Sequence, residues 1–122
     1  MRRTSWILSL SALVVGGSAA AQQPITCAAI ERFVCNVGIG CQAGETGTTW
    51  VNIYPRSKEY ERCDAKGCER YPAAFSTAGV FTTVELAGRG AFAKLGPNGF
   101  FSEVVTAATM TIVSYGKCKG GQ

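Results

Sequence analysis

Six cysteines, Cys27, Cys35, Cys41, Cys63, Cys68 and Cys118, punctuate a chain of 122 residues, and none lies in its first 26 positions. An even count in a small chain with an export-like leader reads as three disulfides formed in an oxidising compartment. The leader has the three parts of a secretory signal: basic Arg2 and Arg3, an apolar stretch over residues 6–15, and the small residues Ala19, Ala20 and Ala21 before a cut expected ahead of Gln22. The expectation is therefore a signal peptide at 1–21 and a single disulfide-braced β domain at 22–122, periplasmic or secreted after cleavage. The Arg pair leaves general and twin-arginine export both open. No later apolar run approaches the roughly 20 residues of a membrane-spanning helix.

Downstream of the leader, ten Lys and Arg face eight Asp and Glu. That balance is too even to imply nucleic acid or an anionic membrane as partner. Turn signals recur about every ten residues, at 54–57, 64–67, 76–79, 87–90 and 96–99. The strongest is Gly96-Pro-Asn-Gly99, where Pro97 pre-sets φ and Gly99 supplies a positive one. Between the turns lie β-branched and aromatic runs at 48–54, 69–75, 80–86, 91–95, 100–106 and 109–115. Short strands at this spacing predict an all-β fold: an antiparallel up-and-down meander closing into a small barrel or sandwich. Residues 27–35 fit either a short helix capped by Thr26 or a strand, and the strand is preferred.

Connectivity is formally one of 15 for six cysteines. If residues 64–67 form a hairpin loop, Cys63 and Cys68 face each other across the ladder within disulfide reach. Cys35 and Cys41 close a glycine-rich loop in the same way, which leaves Cys27 with Cys118. A rival pairs Cys27 with Cys41 and Cys35 with Cys118. Zinc is disfavoured, because the C-x₅-C spacing of Cys35 and Cys41 is too wide and the chain has no histidine to complete a mixed site. A redox site needs C-x-x-C, which is absent. No cofactor and no metal are expected.

The missing histidine also removes the commonest general base, and no G-x-S-x-G elbow occurs. Glu85 and Glu103 each stand as an acid within an apolar run. They are read as outward-facing, with Arg89 or Lys94 as partners, and a catalytic role is the lesser alternative. Residues 56–70 hold nine charges of mixed sign, a solvated face or a recognition loop. Candidate binding residues are aromatics favoured at interfaces, Trp50 and Tyr54, and the cations Arg62, Lys66, Arg89 and Lys94.

The segments Glu61-Arg-Cys-Asp-Ala-Lys-Gly-Cys68, Gly88-Arg-Gly90, Phe92-Ala-Lys-Leu95, Glu103-Val-Val and Val113-Ser-Tyr-Gly-Lys-Cys118 resemble a family of small exported disulfide-containing β-proteins of Gram-negative bacteria. A weaker likeness is to periplasmic inhibitors of C-type lysozyme, which implies a small β-barrel. The functional expectation is an exported, non-enzymatic binding module whose partner is a periplasmic or secreted protein, for instance an inhibited envelope enzyme. Two alternatives stand beside it: a small-ligand carrier with a lipocalin-like barrel, and a structural or stress protein of the envelope.

Overall fold

The computed structural model describes residues 23–121; the expected signal peptide at 1–21 lies outside the described residues. Ten strands follow one another among the described residues: β1 Ile25–Asn36, β2 Gly40–Ala43, β3 Trp50–Tyr54, β4 Glu59–Asp64, β5 Gly67–Pro72, β6 Ala74–Ala78, β7 Phe81–Leu86, β8 Ala91–Leu95, β9 Phe100–Ala107 and β10 Met110–Gly120. All neighbours pair antiparallel in one sheet, in the order β5-β4-β3-β1-β10-β9-β8-β7-β6, with β2 pairing the far half of β1. Residues 27–35 lie in a strand, and the expected all-β meander is present, nearly closed into a barrel.

The two ends of that order, β5 and β6, are consecutive in the chain and separated by Ala73 alone. Eight antiparallel steps separate them in the sheet order, so they run in the same direction. They are in effect one extended strand that bends at Ala73, its first half bonded to β4 and its second to β7. Counted this way, the wall has eight strands, an even number, as an all-antiparallel ring requires. The run expected at 69–75 crosses this bend. The register of β4 with β5 continues one step past Pro72, where the Ala73 N–H donates to the Lys58 carbonyl at 2.9 Å.

Alternation sorts the side chains. On β9, Phe101 and Glu103 are buried, and on β8 Ala91 and Ala93 are. Val51 and Ile53 of β3, Tyr60 of β4 and Val84 and Leu86 of β7 complete one interior cluster with Cys27. Small residues on β8 leave room for the large Phe101 and Tyr60, as a narrow barrel demands. Val80 stands exposed in the turn before β7, apart from the inward-facing Val84 and Leu86. The sharp turn at Gly79 ends β6 and begins β7 only at Phe81. Phe81 lies outside the wall, edge-on to Phe100.

A bulge in β1 reverses this alternation once. Cys27 pairs with Cys118 and Ala29 with Gly116, but the register then slips, so that Glu31 faces Tyr115 and Arg32 faces Ser114. One extra residue, the exposed Ile30, changes which side of the wall each later side chain meets. Gly116 belongs to the same irregularity. A Cβ there would lie 1.9 Å from the Ala28 carbonyl oxygen, so only glycine lets β10 approach β1 this closely.

Three disulfides join directly facing residues: Cys27 with Cys118 between β1 and β10, Cys35 with Cys41 between β1 and β2, and Cys63 with Cys68 between β4 and β5. Such bonds are consistent with an extracytoplasmic setting. Among the described residues, no helix is long and apolar enough to cross a membrane.

Candidate functional site

Strand direction places the loop from β1 to β3 and the turns β4–β5, β7–β8 and β9–β10 at one end of the barrel. Just inside that end is a cavity of about 130 Å³. Its lining interleaves the apolar Phe101, Val51, Val105 and Ile112 with polar wall residues that include Arg32, Arg62, Glu103 and Ser114.

Glu103 is the centre of the polar wall. It lies on the inner face of β9 between Phe101 and Val105, only 7% exposed. Its Oε2 accepts a hydrogen bond from the Tyr60 hydroxyl and another from an Arg62 terminal nitrogen at 2.9 Å. Both donors come from β4, where Tyr60 and Arg62 are two residues apart and so share the inner face. Burial pushes the Tyr60 phenol far above its ordinary range, and the Glu103 carboxylate adds to the effect. Tyr60 therefore stays protonated and donates. Burial works against the Arg62 charge, but the Glu103 carboxylate outweighs it and the guanidinium is held more firmly charged.

The expectation for Glu103 is corrected here: it points inward, and its partners are Arg62 and Tyr60 rather than Arg89 or Lys94. Phe101 and Val105 on the same face carry it inside. Glu85 does lie on the outer, exposed face of β7.

Arg32 was not singled out by the sequence, and it reaches the cavity only because of the bulge at Ile30. Its Nε donates to Ser114 Oγ at 3.0 Å, and its terminal nitrogens to the Glu45 carbonyl and to Thr49 Oγ1, each at 3.1 Å. The segment leading into β3 is thus pinned over the mouth. The Gly44 N–H, bonded to the Arg32 carbonyl at 2.8 Å, holds the same segment from the backbone. A lone cation between Ile30 and the apolar pair Phe33 and Val34 was the only signal in the sequence.

The candidate binding residues do not form one surface. Trp50 and Arg62 line the cavity. Tyr54 is on the outer face of β3, its ring 4.3 Å from the Arg70 guanidinium carbon. Lys66 is at the β4–β5 hairpin tip, where its backbone N–H donates to Asp64 Oδ1 at 2.8 Å. Arg89 folds from the β7–β8 turn over the Tyr71 ring, and Lys94 lies on the outer face of β8 over Phe81.

The charges of 56–70 resolve into two sets. Arg62 turns inward, whereas Glu61 heads an outer ladder running straight across four strands. In it Thr26 Oγ1 bonds to Asn52 Oδ1, Asn52 Nδ2 donates to Glu61 Oε1 at 2.9 Å, and Arg70 donates to Glu61 Oε2 at 3.0 Å. These bonds hold the Glu61 carboxyl below its ordinary value, the Asn52 amide foremost. Glu61, Cys63 and Cys68 also come close enough together to suggest a cation site. The two sulfurs are joined in a disulfide, however, so the group offers no thiolate.

Compared with protein-family models, curated proteins and solved structures, the chain matches none of them.

Proposed function

We propose that the chain is an exported, non-enzymatic binding module that holds a small ligand in the mouth of its barrel. The observation that carries this reading is the 130 Å³ cavity, whose lining combines apolar side chains with Arg32, Arg62, Glu103 and Ser114. A small apolar space with a few convergent polar groups is the usual form of a ligand site. Glu103 already accepts from two donors, which favours a structural and binding role over proton transfer. The disulfides and the expected signal peptide favour a periplasmic or secreted location. Native mass spectrometry of the protein, released gently from its own compartment, tests the reading. A reproducible adduct of a small organic molecule, lost when Arg62 is replaced by Met, supports it. A bare mass under conditions that retain weak ligands on control proteins counts against it.

A protein partner is a second reading, favoured by one observation. Val37 and Ile39, on the tip that the Cys35–Cys41 bond locks, are 79% and 71% exposed. Co-purification from an extracytoplasmic extract, with lysozyme inhibition assayed alongside, separates this reading from the first.

A further inference from the structure

We infer that the ligand of the cavity is a small carboxylate with a compact apolar body, about the size of benzoate, and that Arg32 is the residue that receives its charge. The inference rests on the reading of the cavity as a ligand site and adds the chemical class. Three observations carry it.

The first is the charge of the wall. Its ionisable members are Arg32, Arg62 and Glu103, two cations against one anion. Arg62 is neutralised by Glu103 at 2.9 Å, whereas among the described residues no carboxylate lies within 4.0 Å of Arg32. A guanidinium that lines the cavity without a counter-ion leaves an excess positive charge there.

The second is the pattern of donors. A guanidinium has five N–H groups in a fixed plane. Arg32 directs three of them to Ser114, Glu45 and Thr49, all neutral acceptors. Two more, one on each terminal nitrogen, have no protein acceptor among the described residues. The two terminal nitrogens of a guanidinium can together meet the two oxygens of a carboxylate. The three existing bonds fix the plane beforehand, so little side-chain freedom remains to be lost on binding.

The third is size and lining. The volume is close to that of a cavity of about 150 Å³ known to hold benzene. Phe101, Val51, Val105 and Ile112 supply a surface for a ring or a branched hydrocarbon. A bare inorganic anion would leave that surface against water, and an extended chain would not fit.

The test is titration of the full disulfide-bonded chain with three probes of one shape: benzoate, benzyl alcohol and benzylamine. Fluorescence of Trp50, which lines the cavity, and thermal shift are the readouts. The expected result is that benzoate binds at least tenfold more tightly than either of the others. Arg32→Gln should abolish that preference while Lys94→Gln, outside the barrel, leaves it unchanged. Should benzyl alcohol bind as well as benzoate, the carboxylate inference fails and the cavity remains a ligand site. Should none of the three bind to the unaltered chain, while co-purified adducts are also missing, both fail together. The probe series is read on the unaltered chain, so it decides the question even if Arg32→Gln does not fold.

Discussion

Tyr60 and Glu103 make a prediction whose sign, as well as size, follows from their surroundings. The Tyr60 side chain is fully buried and its hydroxyl donates to a carboxylate on the far strand β9. Tyr60→Phe keeps the ring and removes only that donor. Hydrogen bonds to charged groups contribute about 1.5–3 kcal/mol net, so the variant should lose about 2 kcal/mol. Glu103→Ala does more. It strands the Tyr60 hydroxyl without an acceptor, at about 1–3 kcal/mol, and removes one buried methylene at about 0.8 kcal/mol. It also unpairs Arg62, whose side chain is 38% exposed, so that share falls to the surface range of about 0–1 kcal/mol. The total is about 2–5 kcal/mol. In the Glu103→Ala background, Tyr60→Phe no longer breaks a bond; it deletes an orphaned hydroxyl. There it should be neutral or stabilising. Urea titrations of the four proteins, followed by Trp50 fluorescence, complete the double-mutant cycle, with an expected coupling of at least ~2 kcal/mol. Equal costs for Tyr60→Phe in the two backgrounds would refute the contact and, with it, the account of why Glu103 is inside.

The disulfides should rank by the chain they enclose. Replacing Cys27 and Cys118 with Ala opens a loop with a sequence separation of 91 and should cost about 4–5 kcal/mol, against about 2 kcal/mol for Cys63 and Cys68, separated by 5. Urea midpoints of the two double variants give the comparison, and the reverse order would discount the entropic account. The Glu61 ladder predicts an acid-sensitive contribution. Its folded carboxyl titrates below the ordinary value of 4.5, so its stabilisation is present above that value and lost as pH falls through the folded one. Glu61→Gln should therefore cost about 1 kcal/mol at pH 7 and less at pH 3. An equal cost at both values in denaturation would contradict the ladder.

The strands were legible because turn chemistry is local. Gly96-Pro-Asn-Gly99 ends β8 and starts β9 from its own residues, with Asn98 and Gly99 at positive φ. What surrounds an interior side chain is not local. On β9, Phe100 and Val104 read as apolar as Phe101 and Val105, so alternation gives two equal faces and lends no support to the outward expectation for Glu103. It is inside because β4 brings a hydroxyl and a guanidinium to meet it. Arg32 was hidden for another reason. Unbroken alternation from Cys27 would turn Glu31 inward and Arg32 outward, and only the slip at Ile30, imposed by pairing with β10, exchanges them. The bend at Ala73 is likewise set by two different partner strands, a property of the closed wall that no window of sequence contains.

The bond between Cys27 and Cys118 also has a topological consequence. It closes the backbone between these residues into a covalent loop. A single proteolytic cut inside it, for example at exposed Arg89, opens the loop without dividing the molecule. The nicked chain keeps both pieces linked, gains the mass of one water, and has its new ends still flanked by paired strands. Separation requires a second cut or a reductant. Loss of intact material under protease should therefore show a lag on non-reducing gels that reducing gels lack. Lifetime under protease would then depend on the second cleavage, not the first.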